Sequence, residues 1–310
     1  MSDDVLGIGM SVRCNDADFK DLAPQLDRIE RLGVEFVEVP TFAMNLLCAG
    51  RVIESNLREA RAMITDRPFM VTVHGPIGIN LMSPEPFHNR HRDVLMASIE
   101  VAAALEARHY VLHSGTVAEK PEADLRNDYL RQREALFEAG NLAAQYGMTL
   151  AVENVYTYSR NERTALPSEL AAEIAAVDHP NVKACFDVSH GFINGNFRGA
   201  DFLNEAMALA PFAKHLHVHD SFGRPVDVLT YSRAERLAFG IGDLHMPIGW
   251  GSIPWDLLME RLRFHPGVIF NIELDRAYWS EAEACVQAVR ELAAKARTTS
   301  SSQPEMTTAG

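Results

Sequence analysis

Apolar residues fall into eight short runs, at 5–10, 34–39, 69–73, 110–112, 149–152, 182–186, 213–218 and 268–272. Runs this short, rich in Val, Ile and Phe, predict buried strands. Between them apolar residues recur every three or four positions, the period of an amphipathic helix. Phe19, Leu22, Leu26, Ile29 and Leu32 mark one such stripe, and Val94, Ala97, Val101 and Ala104 another. A long helix is expected over 124–146, ended by Gly147. Ser168 is placed to cap a helix carrying Leu170, Ile174 and Val177. Residues 253–262 predict another helix. Ser280 and Glu283 have capping-box spacing before Val286, Val289 and Leu292.

Strict alternation of strands and helices predicts a parallel sheet, and eight units close it into an α/β, (β/α)8 TIM barrel of one domain. An open doubly wound sheet would carry a Gly-rich phosphate loop after an early strand, and none is present. Residues 221–251 are too many for a barrel loop and read as an excursion on the catalytic face. The barrel is expected to span 1–297. The polar stretch 298–310, TTSSSQPEMTTAG, reads as a disordered tail.

The chain has 310 residues, enough for a large core, and a net charge of −13. Such a surface repels polyanions, so no nucleic-acid and no membrane partner is expected. The N-terminus has no signal-peptide pattern, and no apolar stretch is long enough to span a bilayer, so a cytoplasmic protein is expected. Cys14, Cys48, Cys185 and Cys285 show no CxxC spacing and read as reduced residues. A homo-oligomer is allowed.

The candidate chemistry sits where the strands end. The third run leads to His74, the fourth to His113, the fifth to Glu153 and the sixth to Asp187 with His190. The seventh reads HLHVHD, with His215, His217, His219 and Asp220; the eighth leads to Glu273. Taken singly, a His after a strand is more often a hydrogen-bonded core residue, and a lone carboxylate is often a cap. Six such ends on six successive strands converge on one rim of a barrel. Gathered there, unpaired carboxylates and imidazoles would cost several kcal/mol unless a cation held them. Imidazole and carboxylate without thiolate suit Mn, Zn, Co or Fe, and Mg less well.

These motifs resemble the xylose-isomerase-like TIM-barrel superfamily, which holds sugar isomerases and epimerases and the endonuclease IV type of abasic-site nuclease. The resemblance to the ketose epimerases implies Glu153, Asp187, His217 and Glu273 as ligands of one divalent metal. It implies Glu153 and Glu273 as the catalytic acid and base, transferring protons through a metal-stabilised enediolate of a keto-sugar or sugar phosphate. His190, Arg224, Lys214 and Trp250 become candidates for substrate binding. The nuclease branch has further motifs: HGPIGINL, LHSG, CFDVSHGFINGN and GDLHMPIGWGSI resemble them. They supply His74, His113, His190, Asp243 and His245 as candidates for additional metals. The alternative function is therefore a di- or trinuclear hydrolase or lyase acting on a small phosphate or glycoside. The chain departs from that branch where its Tyr stands, here Ile77 and Gly78, and its first strand, GIGMSV, lacks a His. In the excursion, Asp243 and His245 are two apart, which in an extended segment points both the same way.

Overall fold

The computed structural model describes residues 5–14, 19–157, 159 and 161–299. Eight parallel strands close into a barrel in sequence order. They are β1 (Val5–Ser11), β2 (Phe36–Pro40), β3 (Met70–His74), β4 (His109–His113), β5 (Thr149–Glu153), β6 (Val182–Asp187), β7 (Ala213–Val218) and β8 (Val268–Ile272). The helices are α1 (Leu22–Leu32), α2 (Glu54–Ile64), α3 (Phe87–Ala104), α4 (Arg126–Gln145) and α5 (Pro167–Val177). They continue as α6 (Val188–Arg198), α7 (Phe202–Leu209), α8 (Arg233–Phe239), α9 (Trp255–Arg261) and α10 (Ala282–Lys295). The α/β TIM barrel read from the alternation of runs therefore stands.

Strand alternation divides the side chains into two sets. One set, with Val37, Val39, Val71, Val73, Leu150, Val152, Leu216 and Val218, joins the main apolar core with the helices. The other carries Ser11, Glu38, Thr72, His109, His215, His217 and Asn271, all buried. Among its apolar members, Val111, Ala151 and Cys185 form a small separate cluster. His109 on β4 meets His215 on β7 across this interior, Nδ1 to Nδ1 at 3.2 Å. The barrel is thus held mainly by the apolar layer outside it, and its interior is largely polar.

Several helix starts differ from expectation. Phe19 lies before α1, in a turn with φ 63°. At α5 the helix begins one residue before Ser168, with Pro167 at its first position. Glu169 reaches back to accept from the Leu166 N–H, so it, not Ser168, satisfies the helix start. Ser280 caps nothing either: Arg276–Glu281 forms a 3-10 turn that runs straight into α10. Thr298 bridges to Phe264, and the Thr299 N–H donates to its carbonyl. The described chain therefore includes the first two residues of the expected tail; the rest of it lies outside the described residues. Among the described residues no helix is long and apolar enough to cross a membrane.

The excursion is tied down at its root by Asp220, which is 1% exposed. Its carboxylate accepts from the N–H groups of Ser221 (2.9 Å), Gly249 (2.8 Å) and Ile253 (3.3 Å), and from Trp255 Nε1 (3.3 Å). Its backbone pairs reciprocally with Met246. Gly251 closes the knot: a Cβ there would lie 2.3 Å from Asp220 Oδ1 and from the Ser221 carbonyl oxygen. Asp220→Ala strands three buried donors and the more exposed Gly249 N–H, which costs on the order of 2–4 kcal/mol. We expect a lower urea midpoint and faster proteolytic cleavage within 221–251; an unchanged midpoint and cleavage rate would refute this anchoring role.

Candidate metal centre

Register brings the strand ends into one plane. His113 pairs with Glu153 between β4 and β5, and Asp187 with His217 between β6 and β7. At the centre is His217 Nδ1. It lies 3.2 Å from Glu153 Oε1, 3.7 Å from Asp187 Oδ2 and 3.8 Å from Glu273 Oε2. These four residues come from β5, β6, β7 and the end of β8, and all are buried. Asp187 also accepts the His190 N–H at 2.7 Å, capping α6, while Asn154 pins the Asp187 backbone through two hydrogen bonds. One residue thus starts a helix and faces the centre.

The five further ligand candidates join the same cluster. His74 Nε2 lies 3.2 Å and His113 Nε2 3.5 Å from Glu153 Oε2. His190 lies 3.2 Å from Glu153 and 3.4 Å from Asp243. His245 bridges Asp243 and Glu273, at 3.1 Å from each. The convergence of Asp243 and His245 has a different cause from the one expected. His245 has φ 46°, left-handed rather than extended, so a turn and not strand alternation brings the two side chains together.

Three substrate candidates lie elsewhere. Lys214 alternates with His215 on β7 and lines a cavity at the start of the strands, with Lys183, His179 and His265; burial lowers its pKa. Arg224 is exposed and donates to the Phe239 carbonyl at 2.8 Å, so it braces the excursion. Trp250 is half exposed and packs edge-on against Tyr278. His190 alone of that set faces the pocket.

Other pocket and cluster residues had no role in the sequence reading. His219 Nε2 donates to Asp187 Oδ2 at 3.0 Å and its ring stacks on His245 at 4.3 Å. The alternation of His215, His217 and His219 was the signal for it, since residues two apart share a face. Arg13 reaches to 3.7 Å from Glu273. Glu38 interrupts the apolar run of β2 and is 1% exposed, an unusual place for a carboxylate.

The cluster neutralises itself. Burial alone would raise Glu153 and Glu273, but nearby imidazoles, His217 foremost, hold both well below the usual carboxylate range. Burial would likewise lower His217 and His190, yet facing carboxylates raise both well above the ordinary value. Cys185 adds no charge to His217 at neutral pH, because burial keeps its thiol protonated. His113 goes the other way: burial pushes it down to about 4. Protons on imidazoles here balance ionised carboxylates, a balance a divalent cation would supply while releasing those protons. Two imidazole nitrogens of the cluster, His217 Nε2 and His219 Nδ1, are buried without a well-aligned hydrogen bond. The donor set, all imidazole nitrogen and carboxylate oxygen, fits such a cation. Glu153, Asp187 and His190 place one ligand atom each within 4.8 Å of one another, as do His219, His245 and Glu273.

Above the cluster lies a cavity of 360 Å³. Phe42, Ile77, Val155 and Tyr156 give it an apolar wall, and Arg13 is the one guanidinium among the described residues that line it. A wider hollow of 590 Å³ beneath residues 226–236 has no such carboxylate–imidazole floor among the described residues.

The family described as the xylose isomerase-like TIM barrel matches residues 26–295. No curated protein matches the chain by sequence. Among solved structures it is similar to a D-tagatose 3-epimerase-like protein, at 18% identity and TM-score 0.68, over 93% of this chain and 97% of that one. A Thermus thermophilus protein soaked with zinc chloride aligns at 21% identity and TM-score 0.64, over 95% and 100%. A D-psicose 3-epimerase with D-tagatose from Clostridium cellulolyticum aligns at 15% identity and TM-score 0.64, over 94% and 100%. These likenesses show the fold.

A ligand bound by the folded state alone raises its stability by about 2.7 kcal/mol at a hundred times Kd. Adding Mn, Zn or Co to chelator-treated protein should therefore raise Tm by about 3–5 °C. No shift with any of the three would discard the metal centre.

Proposed function

The chain belongs to the xylose isomerase-like TIM barrels, and from that premise we propose that it is a metal-dependent sugar isomerase or epimerase. The observation that carries this reading is the pairing of two carboxylates. Glu153 and Glu273 rise from strands three places apart, both border the 360 Å³ cavity, and both point at His217 Nδ1. The epimerase structures of the same fold support a keto-sugar as substrate; a sugar phosphate would present the same adjacent oxygens.

Glu153, Asp187, His217 and Glu273 would hold the cation. Bound there, a divalent cation supplies electrostatic stabilisation of the charge that develops on adjacent substrate oxygens. The chain's own residues do the rest. One of Glu153 and Glu273 removes a proton from the carbon beside the carbonyl, and the other returns one. The imidazoles around them hold the base ionised, and the proton that the other returns is drawn from an imidazolium beside it, as His190 stands 3.2 Å from Glu153. Arg13 and His190 bind substrate oxygens at the cavity wall, and the apolar side chains opposite exclude water. The net charge of −13 favours a small carbohydrate over a nucleic acid or a membrane as partner, and we place the reaction in the cytoplasm.

Glu153→Gln and Glu273→Gln should each lower kcat about a hundredfold or more with the fold retained, the scale of a lost acid or base. Near-normal turnover of a ketose by either variant would remove that residue from its role.

A second reading rests on a specific observation: His74, His113, His190, Asp243 and His245 all reach the same cluster. Nine such side chains are enough for two or three ions and a hydrolytic or lyase reaction on a small phosphate or glycoside. Elemental analysis separates the two. One ion per chain, unchanged in the double variant Asp243→Ala/His245→Ala, supports the epimerase. Two or three ions, falling in that variant, support the hydrolase; submicromolar, salt-sensitive binding to an abasic duplex would extend it to DNA.

A further inference from the structure

At the opposite end of the barrel from the carboxylate–imidazole cluster lies a cavity of 450 Å³, which the reaction proposed above does not use. It sits where β6, β7 and β8 begin. Lys183 is the second residue of β6 and Lys214 the second of β7, and both line it. His265, three residues before β8, and His179, in the turn before β6, complete its polar lining with Asp178. Ile174, Val182 and Phe212 give it an apolar side. Lys183 stands four residues before Asp187, about 13 Å along the strand, so this hollow is separate from the metal centre.

The charges here are not balanced. The chain has five lysines, Lys20, Lys120, Lys183, Lys214 and Lys295, within a net charge of −13. Lys120 and Lys295 are paired with Asp128 and Asp256. Lys183 and Lys214 are half-buried, yet among the described residues no carboxylate comes within ion-pair distance of either. Asp178 is exposed and acts on Lys183 only from longer range. Burial and the neighbouring Lys214 ammonium both lower the Lys183 pKa, and burial lowers that of Lys214. Holding the two cations together costs free energy that a bound anion would recover. His179 is committed within the protein: Nδ1 accepts the Asn181 N–H at 3.1 Å, and Nε2 lies 3.4 Å from Asn141 Oδ1. His265 Nδ1 donates to the Pro266 carbonyl at 2.8 Å, which leaves Nε2 for a ligand.

Two ammoniums beside one hollow suit a doubly charged anion. A phosphate group carries about −1.5 to −2 at neutral pH and offers three acceptor oxygens, and lysine binds it as a point charge. A carboxylate would offset one cation only. The cavity falls in the size range of small-molecule sites, roughly 300–1,000 Å³, so an organic part fits against the apolar side. We infer that this cavity binds a small phosphate-bearing molecule, with Lys183 and Lys214 holding the phosphoryl group. The inference rests neither on the metal centre nor on the epimerase reaction.

The test is calorimetric titration of the full chain with inorganic phosphate, with a hexose phosphate, and with chloride at matched ionic strength. Saturable phosphate binding is expected, weakened about tenfold or more in Lys183→Gln and in Lys214→Gln, the scale of a lost charge-assisted hydrogen bond. It should be unchanged in Glu153→Gln. If the lysine-dependent binding is tighter for the hexose phosphate, the ligand is an ester; if tighter for inorganic phosphate, it is the free ion. Binding that survives both lysine changes and falls in Glu153→Gln places the anion at the strand exits and overturns the inference. No saturation, or equal heats from chloride, overturns it too. A second measurement needs no variant. Reductive 13C-methylation keeps the lysine charge, and phosphate should shift the two methylated lysines that titrate lowest, Lys183 and Lys214. Shifts only at other lysines, or at none, refute the site.

Discussion

The structure depends on one balance of charge inside the barrel. Glu38, Glu153, Asp187 and Glu273 are buried with His74, His190, His217 and His219 at ion-pair distances, and the half-buried Asp243 and His245 join them from above. Removing such charges from water is costly, and their mutual attraction offsets that cost only when geometry and hydrogen bonds are complete. The supporting residues have this purpose. Asn154 fixes the backbone of Asp187, while Ser11, Thr72 and Asn271 fill the lone pairs of Glu38.

That arrangement is tolerated because stability comes from another layer. The helices pack their apolar stripes on the outer face of the strands, in one continuous core. The inner face is free to carry polar groups from His109 and His215 near the strand starts to Glu153 and Asp187 at their exits. Chemistry collects at that exit rim, as it does in barrels generally. The excursion adds Asp243 and His245 from above, and the Asp220 knot keeps them there.

The same geometry explains why two of the candidate cations, Lys214 and Arg224, lie away from the pocket. Lys214 is one residue from His215, but one residue on a strand is the opposite face. Arg224 is seven residues past His217, yet its backbone turns away to pair with Ile241 and its guanidinium caps a carbonyl. Linear distance from a ligand predicts proximity only while the chain remains regular.

The sequence by itself determined the barrel and its rim. Eight apolar runs alternating with helical stripes leave little else for the chain to form, and strand ends are fixed by where the runs stop. His74, His113, Glu153, Asp187, His217 and Glu273 were legible for that reason: each sits at the end of a run, and parallel register brings ends together. Tertiary structure alone decided what lies across the barrel. Glu38 and His217 stand far apart in sequence and on non-adjacent strands; only closure of the sheet sets one against the other. Asp243 and His245 converge through a left-handed turn that no spacing rule announces. Helix starts at Pro167 and Ala282 were settled by Glu169 reaching back and by a preceding 3-10 turn. Periodicity records which face a residue occupies, whereas contacts across a closed interior depend on curvature, which periodicity does not carry.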